Sequence, residues 1–360
     1  MMRRTSHEFY MRRALDLARI GSGRVSPNPM VGCVIVHDDV TLSEGWHHAY
    51  GDVHAEIDAL RFLQGRADGA TMYVSLEPCA HHGKQPPCTE AIIASGVSHV
   101  VVAMTDPNPL VSGRGIQALR AAGIAVTTDV LRDEAEHLNR AFVHWTTTGL
   151  PHVTLKIATS IDGRVRMPED QPRYITSVES RLRVHRMRAS RDGIMIGIGT
   201  AMWDNPELTV RLCSGRNPVR IVVDPSCRLP TTTTLVQTAR DVRTIVICRD
   251  EADPRAQRSL IDCGVEIHNV SADEDQVVDS RDILRVLARL NIASILLEGG
   301  PYLAGRMLRD DVIDEIEMHT APIIIGSGPV WFADNDLSRW KACHARRVGS
   351  DIHAQYVRKR

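Results

Sequence analysis

The sequence lacks three features, each of which would point to a different class of protein. It has no apolar run of the roughly 20 residues that cross a bilayer, so we expect no membrane-spanning segment. It has no basic tract, and its formal net charge of -1 argues against a protein that coats nucleic acid. No apolar run follows Arg3 and Arg4, so we expect no secretory signal peptide.

Cysteine is also sparse, and the fingerprint of a Rossmann dinucleotide site is absent. Eight cysteines spread over 360 residues do not form the dense framework of a small disulfide-rich domain. We therefore expect reduced thiols and a cytoplasmic protein. No G-x-G-x-x-G motif occurs, so a Rossmann dinucleotide site is not indicated.

The length and the order of apolar segments predict two domains. A chain of 360 residues is long enough for two domains that each bury a core. The segment TTTGLP at 146–151 is the predicted boundary, because the order of elements starts again after it. We expect domains at 1–146 and 151–360. Both halves alternate apolar strands with helices, which predicts α/β layers.

Apolar runs bounded by turn residues predict the strands of both domains. In the first half, strands are expected at 31–36, 71–76, 99–104 and 124–129. In the second half, strands are expected at 153–160, 193–199, 219–224, 244–248, 294–297, 315–322 and 352–357. One helix is expected to begin near His54 and another just after Cys88. An arginine-rich helix is expected over 177–191.

His54 and Glu56, followed by Cys79 and Cys88, form the pattern with the most chemical content. One His and two Cys can hold zinc with one coordination position left open for water. Zinc lowers the pKa of that water, and a nearby carboxylate can then move protons between the water and a leaving amine. Zinc deaminases of nucleobases carry this H-x-E…P-C signature, although eight residues instead of two separate the cysteines here.

Two other interpretations of these residues remain open at this point. The cysteines could be buried core thiols, although each follows a proline in one loop rich in glycine and proline. A purely structural zinc site would close with four protein ligands, and His81 or His82 could supply the fourth. Neither interpretation gives Glu56 a task.

Two glycine-containing turns in the second half could approach a phosphate. GIGT at 197–200 ends a predicted strand, and EGGPYLAG at 298–305 joins a strand to a helix. Glycine lets backbone N–H groups come close to an anion, and a helix N-terminus favours negative charge. The alternative is two simple turns. The arginine run within 181–188 could equally be a solvated helix face.

The chain resembles the bacterial bifunctional enzymes of riboflavin biosynthesis, in which a pyrimidine deaminase is fused to a reductase. In the first half the resemblance rests on PNPMVG at 27–32, HAE at 54–56, EPCAHHGKQPPC at 77–88 and TDPNP at 105–109. In the second half it rests on LK at 155–156, SIDGR at 160–164, ITS at 175–177, DNP at 204–206, LTVR at 208–211 and EGGP at 298–301. The resemblance covers nearly the full length.

This resemblance implies an α/β chain with an N-terminal cytidine-deaminase-like three-layer domain and a C-terminal dihydrofolate-reductase-like domain. It implies zinc and NADPH as cofactors. The implied reactions are hydrolytic deamination of 2,5-diamino-6-ribosylamino-4(3H)-pyrimidinone 5′-phosphate and reduction of its ribosyl group to ribityl phosphate. The implied partner is a small molecule rather than nucleic acid or a membrane, with a homo-oligomer formed through the reductase domain.

The resemblance also assigns residues to roles. The implied zinc ligands are His54, Cys79 and Cys88, with Glu56 moving protons. The implied contacts to the pyrimidine and ribose phosphate in the first domain are Asn28, His47, Lys84, Asp106 and Asn108. The implied NADPH contacts are Ala158, Tyr174, Thr200, Asp204, Gly300, Pro301, Tyr302, Leu303, Ala304, Gly305 and Arg306. The implied substrate contacts in the second domain are Lys156, Arg188, Leu208, Arg211 and Glu298.

Three positions depart from the family's pattern. Pro172 stands where relatives commonly carry serine, Tyr174 where they carry tryptophan, and Pro225 where they carry serine or threonine. The hydroxyl contacts at 172 and 225 are therefore not expected here. Two other functions stay in view, namely a deaminase of a nucleic-acid base with a C-terminal binding module, and a non-catalytic interaction protein with structural zinc.

Overall fold

The computed structural model describes residues 6–81, 86–168, 170–171, 174–272, 278–331 and 339–359. The chain divides into two compact units, Met1–Gly149 and Leu150–Arg360. In the described part of the chain, none of the helices combines the length and the apolar character that crossing a bilayer requires.

The first unit is built on one sheet with strand order β2-β1-β3-β4-β5. Its strands are β1 (Gly32–His37), β2 (Val40–Trp46), β3 (Thr71–Val74), β4 (His99–Val102) and β5 (Ala125–Thr127). Its helices are α1 (His7–Ile20), α2 (Ala55–Phe62), α3 (Cys88–Ala94), α4 (Arg114–Ala121), α5 (Arg132–Leu138) and α6 (Arg140–Thr148). β1 is antiparallel to β2 and β3, whereas β3, β4 and β5 are parallel.

Helices cover both faces of this sheet because successive residues of a strand point to opposite sides. On β1, Cys33 and Ile35 belong to a core cluster with residues of α2, α3 and α4. Val34 and Val36 belong to a second cluster with residues of α1 and α5. Gly32 lets α1 lie close, since a Cβ there would stand 2.0 Å from the Ala14 carbonyl oxygen. The predicted three-layer domain is thereby confirmed.

The second unit contains a sheet with strand order β10-β9-β8-β7-β11-β6-β12-β14-β13 within its described residues. Its strands are β6 (His152–Ser160), β7 (Gly193–Gly197), β8 (Val219–Val223), β9 (Thr244–Arg249), β10 (Glu266–Val270), β11 (Ser294–Leu297), β12 (Glu315–Ala321), β13 (Trp340–Val348) and β14 (Asp351–Arg358). The strands from β10 to β12 run parallel, and β14 and β13 complete the sheet as an antiparallel pair.

Helices again lie on both faces of the sheet. They are α7 (Val178–Ser190), α8 (Ile198–Asp204), α9 (Thr234–Gln237), α10 (Pro254–Asp262), α11 (Ser280–Arg289) and α12 (Pro301–Arg309). Ile194 and Ile196 of β7 face one core cluster, and Met195 between them faces the other. Parallel strands buried on both faces read as continuous apolar runs, which is why the sequence predicts them well.

Three strands were absent from the sequence prediction, namely β2, β10 and β13. Each lies at an edge of its sheet. Their residues are largely polar or exposed, and no residue of the nine-residue strand β13 is buried. Edge strands commonly carry charged and polar side chains because one side is left without a neighbouring strand.

Candidate functional site

The three predicted metal ligands of the first unit come together at two helix starts and one loop. His54 is the residue before α2, Cys79 lies in the loop after β3, and Cys88 begins α3. Their ligand atoms all lie within 4.8 Å of one another. His54 Nδ1 stands 3.1 Å from Cys88 Sγ and 3.6 Å from Cys79 Sγ.

These distances fit a tetrahedral zinc ion. Zn–S bonds of about 2.3 Å and Zn–N bonds of about 2.0 Å place sulfur and nitrogen ligands about 3.6 Å apart. A hydrogen bond from the Cys88 side chain outweighs burial and, with the bond from His54, lowers the pKa of the Cys79 thiol to about 4. The same hydrogen bond, with burial, raises the pKa of Cys88, so the metal-free pair holds one thiolate and one thiol. Binding of a soft divalent ion would release the remaining proton.

Among the described residues His81 does not join this cluster, and His82 lies outside them. The cluster therefore offers three protein ligands in the part of the chain that the structure describes. Three ligands leave a coordination position for water, as in catalytic zinc sites, whereas structural sites usually close with four.

Glu56 stands in the first turn of α2, two residues after His54. The residue is only 3% exposed. Burial, followed by the negative charge on Cys79, raises the pKa of Glu56 to about 6. A carboxyl group with a pKa near the working pH can both accept and return a proton.

His47 and Asn28 form a hydrogen-bonded pair beside the metal cluster. The His47 ring lies 5.8 Å from the His54 ring, measured between centroids. His47 Nδ1 bonds the Val53 carbonyl at 2.9 Å, and Asn28 Nδ2 lies 3.2 Å from His47 Nε2. An imidazole that donates at Nδ1 and accepts at Nε2 is neutral. Burial agrees with this assignment, because it lowers the pKa of His47.

Asp106 and Asn108 lie on the loop between β4 and α4. Asp106 Oδ1 accepts a hydrogen bond of 2.8 Å from the Asn108 backbone N–H. Asn108 Oδ1 accepts one of 3.1 Å from Leu110 N–H. Burial raises the pKa of Asp106, and the negative charge of Cys79 adds to this rise. This places the loop near the metal cluster. Lys84, the remaining predicted contact of this unit, lies outside the described residues.

One residue of the first site received no role from the sequence. Glu77 was noted only as part of the motif before Cys79, yet its carboxylate is buried and accepts backbone N–H bonds from the loop that carries Asp106. The available signal was a carboxylate directly after the apolar run 71–76. A carboxylate that follows a buried strand is itself expected to be buried, and a buried carboxylate needs hydrogen-bond donors around it.

The second unit contains a cavity of about 770 Å³ on which most of the predicted reductase contacts converge. This volume lies in the usual range for cofactor and substrate sites, about 300–1,000 Å³. The predicted residues that line it are Lys156, Ala158, Tyr174, Arg188, Thr200, Asp204, Leu208, Arg211, Glu298, Gly300, Pro301 and Ala304.

The remaining predicted NADPH contacts lie on α12 away from the cavity lining. Leu303 is buried in the core cluster beneath the sheet, and Gly305 is also buried. Tyr302 is exposed. Arg306 pairs with Asp310 one turn further along the helix, at 2.8 Å.

The two glycine-containing turns meet at one wall of this cavity. The Thr200 hydroxyl accepts a hydrogen bond of 2.9 Å from Gly300 N–H. A Cβ at residue 300 would stand 3.0 Å from that hydroxyl, so glycine permits the approach. The turn leads directly into α12, whose N-terminus favours negative charge. The residues present therefore fit a phosphorylated cofactor.

A buried charge cluster forms another wall. Glu298 receives two hydrogen bonds from Arg188, of 2.7 and 3.0 Å, and Lys156 Nζ stands 3.5 Å from it. Burial would raise the pKa of Glu298, but the charges of Arg188 and Lys156 outweigh it and lower the pKa to about 2. Two cations and one carboxylate leave a net positive charge at the cavity, which suits an anionic substrate.

The interpretation of the arginine run as a solvated face is wrong for most of its members. The Arg188 side chain is only 12% exposed and pairs with Glu298. The Arg181 guanidinium lies 4.2 Å from the centre of the Tyr174 ring, and Arg183 stands 3.6 Å from a Glu317 oxygen. Arg186 alone of the four is exposed. The sequence could not show this, since Glu298 and Glu317 lie more than 100 positions away.

The loop at 205–211 brings Leu208 and Arg211 to the cavity and is held from several sides. Arg188 donates to the Thr209 carbonyl at 3.2 Å. His185, for which the sequence gave no role, accepts the Arg211 backbone N–H at 2.9 Å through Nδ1. Burial, with the nearby charges of Arg188 and Arg211, lowers the pKa of His185 to about 4 and keeps that nitrogen free to accept.

The two halves of the chain match two different sequence families. Residues 4–104 match the family described as "Cytidine and deoxycytidylate deaminase zinc-binding region". Residues 151–354 match the family described as "RibD C-terminal domain". The expectation of a zinc-binding deaminase region is thereby confirmed.

Relatives and solved structures match along nearly the whole chain. The "Riboflavin biosynthesis protein RibD" of Bacillus amyloliquefaciens is 37% identical, covering 98% of this chain and 96% of the relative. The protein of the same name from Escherichia coli K12 is 38% identical, with coverage of 96% and 97%. The structure of Acinetobacter baumannii RibD (form 1) has a TM-score of 0.85 at 34% identity, with coverage of 98% and 99%.

A second solved structure carries a name that states two activities. It is a diaminohydroxyphosphoribosylaminopyrimidine deaminase/5-amino-6-(5-phosphoribosylamino)uracil reductase from Thermotoga maritima. Its TM-score is 0.86 at 35% identity, and the match covers 98% of this chain and 99% of that one.

Proposed function

The chain belongs to the RibD family of bifunctional riboflavin biosynthesis enzymes, and from this premise we propose which substrate it takes and which residues act on it. The proposed substrate is 2,5-diamino-6-ribosylamino-4(3H)-pyrimidinone 5′-phosphate. The first unit removes its 2-amino group by hydrolysis, and the second reduces the ribosyl group to ribityl. The observation that carries the proposal is the buried Glu56 carboxyl beside the His54, Cys79 and Cys88 cluster.

The deamination uses Glu56 as the group that moves protons. Zinc, when bound by His54, Cys79 and Cys88, supplies the Lewis acidity that makes water nucleophilic near neutral pH. A Glu56 carboxylate oxygen takes the proton of the attacking water and returns it to the departing ammonia. Burial raises its pKa towards neutrality, so the carboxylate is a better proton acceptor than that of an exposed glutamate.

The pyrimidine is held by groups around the cluster. Asn28 and His47 supply an amide and a neutral imidazole, and Asp106 and Asn108 supply polar groups from the loop after β4. Asp106 is half-buried, and its side-chain oxygens can accept from an exocyclic amino or ring N–H group. Lys84, outside the described residues, remains a proposed phosphate contact.

The reduction takes place in the cavity of the second unit. NADPH, when bound, supplies the hydride that converts the ribosyl group to ribityl. Thr200, Asp204 and the turn at Gly300 are proposed to hold it, with Ala158 and Tyr174 at the cavity wall. The task of these residues is to align cofactor and sugar and to exclude water.

Two arginines of the cavity, Arg188 and Arg211, are proposed to have different roles. Arg188 is committed by three hydrogen bonds to Glu298 and to the Thr209 carbonyl, so it shapes the cavity wall. Arg211 is more exposed, and its guanidinium reaches Glu207 at 2.9 Å. We assign the substrate phosphate to Arg211, because a guanidinium fork matches phosphate oxygens well. Lys156 provides a second positive charge near the sugar.

Location and assembly remain predictions of the same proposal. The enzyme acts on a small molecule, and we propose that it does so in the cytoplasm. A homo-oligomer formed through the second unit is also proposed, and sedimentation equilibrium of the full chain would test it.

Mass spectrometry of the proposed substrate tests the function. The zinc-loaded protein is incubated with the diaminopyrimidine ribosylamino phosphate, with and without NADPH. We expect exchange of NH for O in both reactions, and a further gain of two hydrogen atoms only with NADPH. An unchanged substrate, with zinc confirmed in the protein, would contradict the proposal and favour a different deaminase substrate such as a nucleic-acid base.

A further inference from the structure

The carboxylate of Glu77 links the loop of the metal ligands to the loop of the proposed substrate contacts. Glu77 is 5% exposed and lies two residues before Cys79. Its Oε2 atom accepts N–H bonds from Asp106 at 3.1 Å and from Gly113 at 2.9 Å. Its Oε1 atom accepts N–H bonds from Gly115 at 2.8 Å and from Ile116 at 3.2 Å.

Three of these four bonds, from Gly113, Gly115 and Ile116, replace a local cap on α4. The residue before the helix is Gly113, which has a φ of 78° and no side chain that could accept a bond. The first N–H groups of a helix have no partner within the helix and need an acceptor. Glu77 supplies that acceptor from 36 positions away, and its negative charge suits the helix N-terminus.

The same oxygen holds both ends of the substrate loop. Asp106 N–H stands at the beginning of the loop, and Gly113 N–H stands at its end. Between them the loop is tied by its own bonds, such as that from Ser112 N–H to the Asn108 carbonyl at 2.9 Å. The position of Asp106 and Asn108 therefore depends on where Glu77 stands.

Close backbone packing makes this link rigid. A Cβ at residue 115 would lie 2.0 Å from the Pro78 carbonyl oxygen and 3.2 Å from Glu77 Cγ. Only glycine allows α4 to approach the 77–79 segment this closely. Glu77 N–H also donates to the Met104 carbonyl at 2.9 Å, just before the loop begins.

We propose that Glu77 is a positioning residue of the deaminase. Its carboxylate fixes the loop 105–113 against the metal-ligand loop, and so sets where the pyrimidine ribosyl phosphate lies relative to Glu56. This inference rests on the proposed function of the first unit. Glu77 does not touch the reacting atoms, so it acts on substrate binding through Asp106 and Asn108.

The substitution Glu77→Gln tests the proposal because it keeps the size and removes one acceptor. Whichever way the amide is turned, its NH₂ group faces two backbone N–H donors and loses both bonds. We expect KM for deamination to rise about tenfold or more, and kcat to fall much less. Zinc content and the rate of reduction are expected to stay at the wild-type level, which shows that both units are folded.

A matched control and a second variant separate positioning from simple loss of structure. Glu8→Gln changes an exposed glutamate of α1 and is expected to leave both activities unchanged. Glu77→Asp keeps the charge but shortens the side chain, and a smaller rise in KM is expected. If both substitutions at 77 release zinc, the residue builds the metal loop instead, and the proposal is overturned.

A double-mutant cycle with Asn108→Ala identifies the route of the effect. If Glu77 acts through the loop, the rises in KM of the two single variants will not add in the double variant, because the contact at 108 is already misplaced. Additive effects would contradict the proposal. Failure of the wild-type protein to deaminate the pyrimidine would instead overturn the proposed function. A wild-type KM in Glu77→Gln would overturn this inference alone.

Discussion

The charge cluster in the cavity of the second unit makes a quantitative prediction about Glu298. The substitution Glu298→Gln keeps the shape of the side chain and removes the negative charge between Arg188 and Lys156. It leaves two cations, whose side chains are only 17% and 12% exposed, without the carboxylate that compensates them. Breaking a buried ion pair in this way is strongly destabilising, typically by about 3–5 kcal/mol.

The pKa of Glu298 gives an independent magnitude. The pKa falls from an ordinary value of 4.5 to about 2 in the folded protein. Each pKa unit corresponds to about 1.4 kcal/mol, so the charged form gains about 3 kcal/mol from its surroundings. Because the folded pKa is lowered, this stabilisation is complete at neutral pH and is lost as the pH falls below 4.5 towards the folded value. Glutamine mimics the protonated form at every pH.

Hydrogen exchange measured by mass spectrometry follows this stability locally. At pH 7 we expect peptides from β11 and α7 of Glu298→Gln to exchange about a hundredfold faster, since about 3 kcal/mol corresponds to roughly two factors of ten. Peptides from β4 of the first unit serve as an internal reference and should not change.

The chain offers a matched control at the edge of the same sheet. Glu266 also receives two hydrogen bonds from one arginine, Arg243, both of 2.9 Å, but this pair is about 40% exposed on each side. Exposed pairs contribute about 0–1 kcal/mol, so Glu266→Gln should speed exchange by less than about fivefold. If Glu298→Gln had no larger effect than Glu266→Gln, the reasoning from buried charge would be refuted.

Three further predictions concern the two sites. Glu56→Gln should keep zinc, as measured by metal analysis, and should lower the deamination rate by about 10²–10⁴-fold while the reduction rate stays unchanged. A wild-type deamination rate in this variant would exclude the role assigned to Glu56. Arg211→Ala should raise KM for reduction and spare deamination in steady-state assays, whereas equal loss of both would indicate unfolding. His185 has a folded pKa of about 4, below its ordinary 6.5, so the unfolded state binds more protons between these values. Exchange from α7 should therefore speed up as the pH falls from 6.5 to 4 (after correction for intrinsic rates), and a flat profile would contradict that pKa.

The residues of the candidate metal cluster could be predicted from the sequence because their pattern is local. His54 and Glu56 stand on one helix start, and each cysteine follows a proline in one loop. The pattern of residue types carries the expectation of zinc without knowledge of the fold. The structure adds the separation of the ligand atoms and the burial of Glu56.

The charged contacts of the second unit could not be predicted in the same way. Arg188 and Glu298 are 110 positions apart, and they meet because α7 leads directly into β7, which lies beside β11 in the sheet. Sequence pattern shows an arginine within a charged helix, which usually means a solvated face. Only the family resemblance pointed to Arg188 as a cavity residue.

Glu77 illustrates the same limit in the first unit. Its partners lie 29 to 39 positions ahead, and they are backbone N–H groups, which leave no trace in residue types. Gly113 and Gly115 are the only sequence signs of the close approach. Buried strands were predicted well because they are continuous apolar runs. The edge strands β2, β10 and β13 were not predicted, because a strand with a neighbour on one side only carries fewer apolar residues.

Complementation between two variants tests most directly whether one chain carries two separate sites. Glu56→Gln and Arg211→Ala are each incubated with NADPH and the diaminopyrimidine ribosylamino phosphate, and the concentration of this pyrimidine is kept well below its KM for reduction. In a third reaction the two variants are mixed in equal amounts. We predict unchanged substrate with the first variant, accumulation of the deaminated ribosyl compound with the second, and full conversion to the deaminated ribityl product with the mixture. A mixture that converts no more than the better of the two variants would contradict the account.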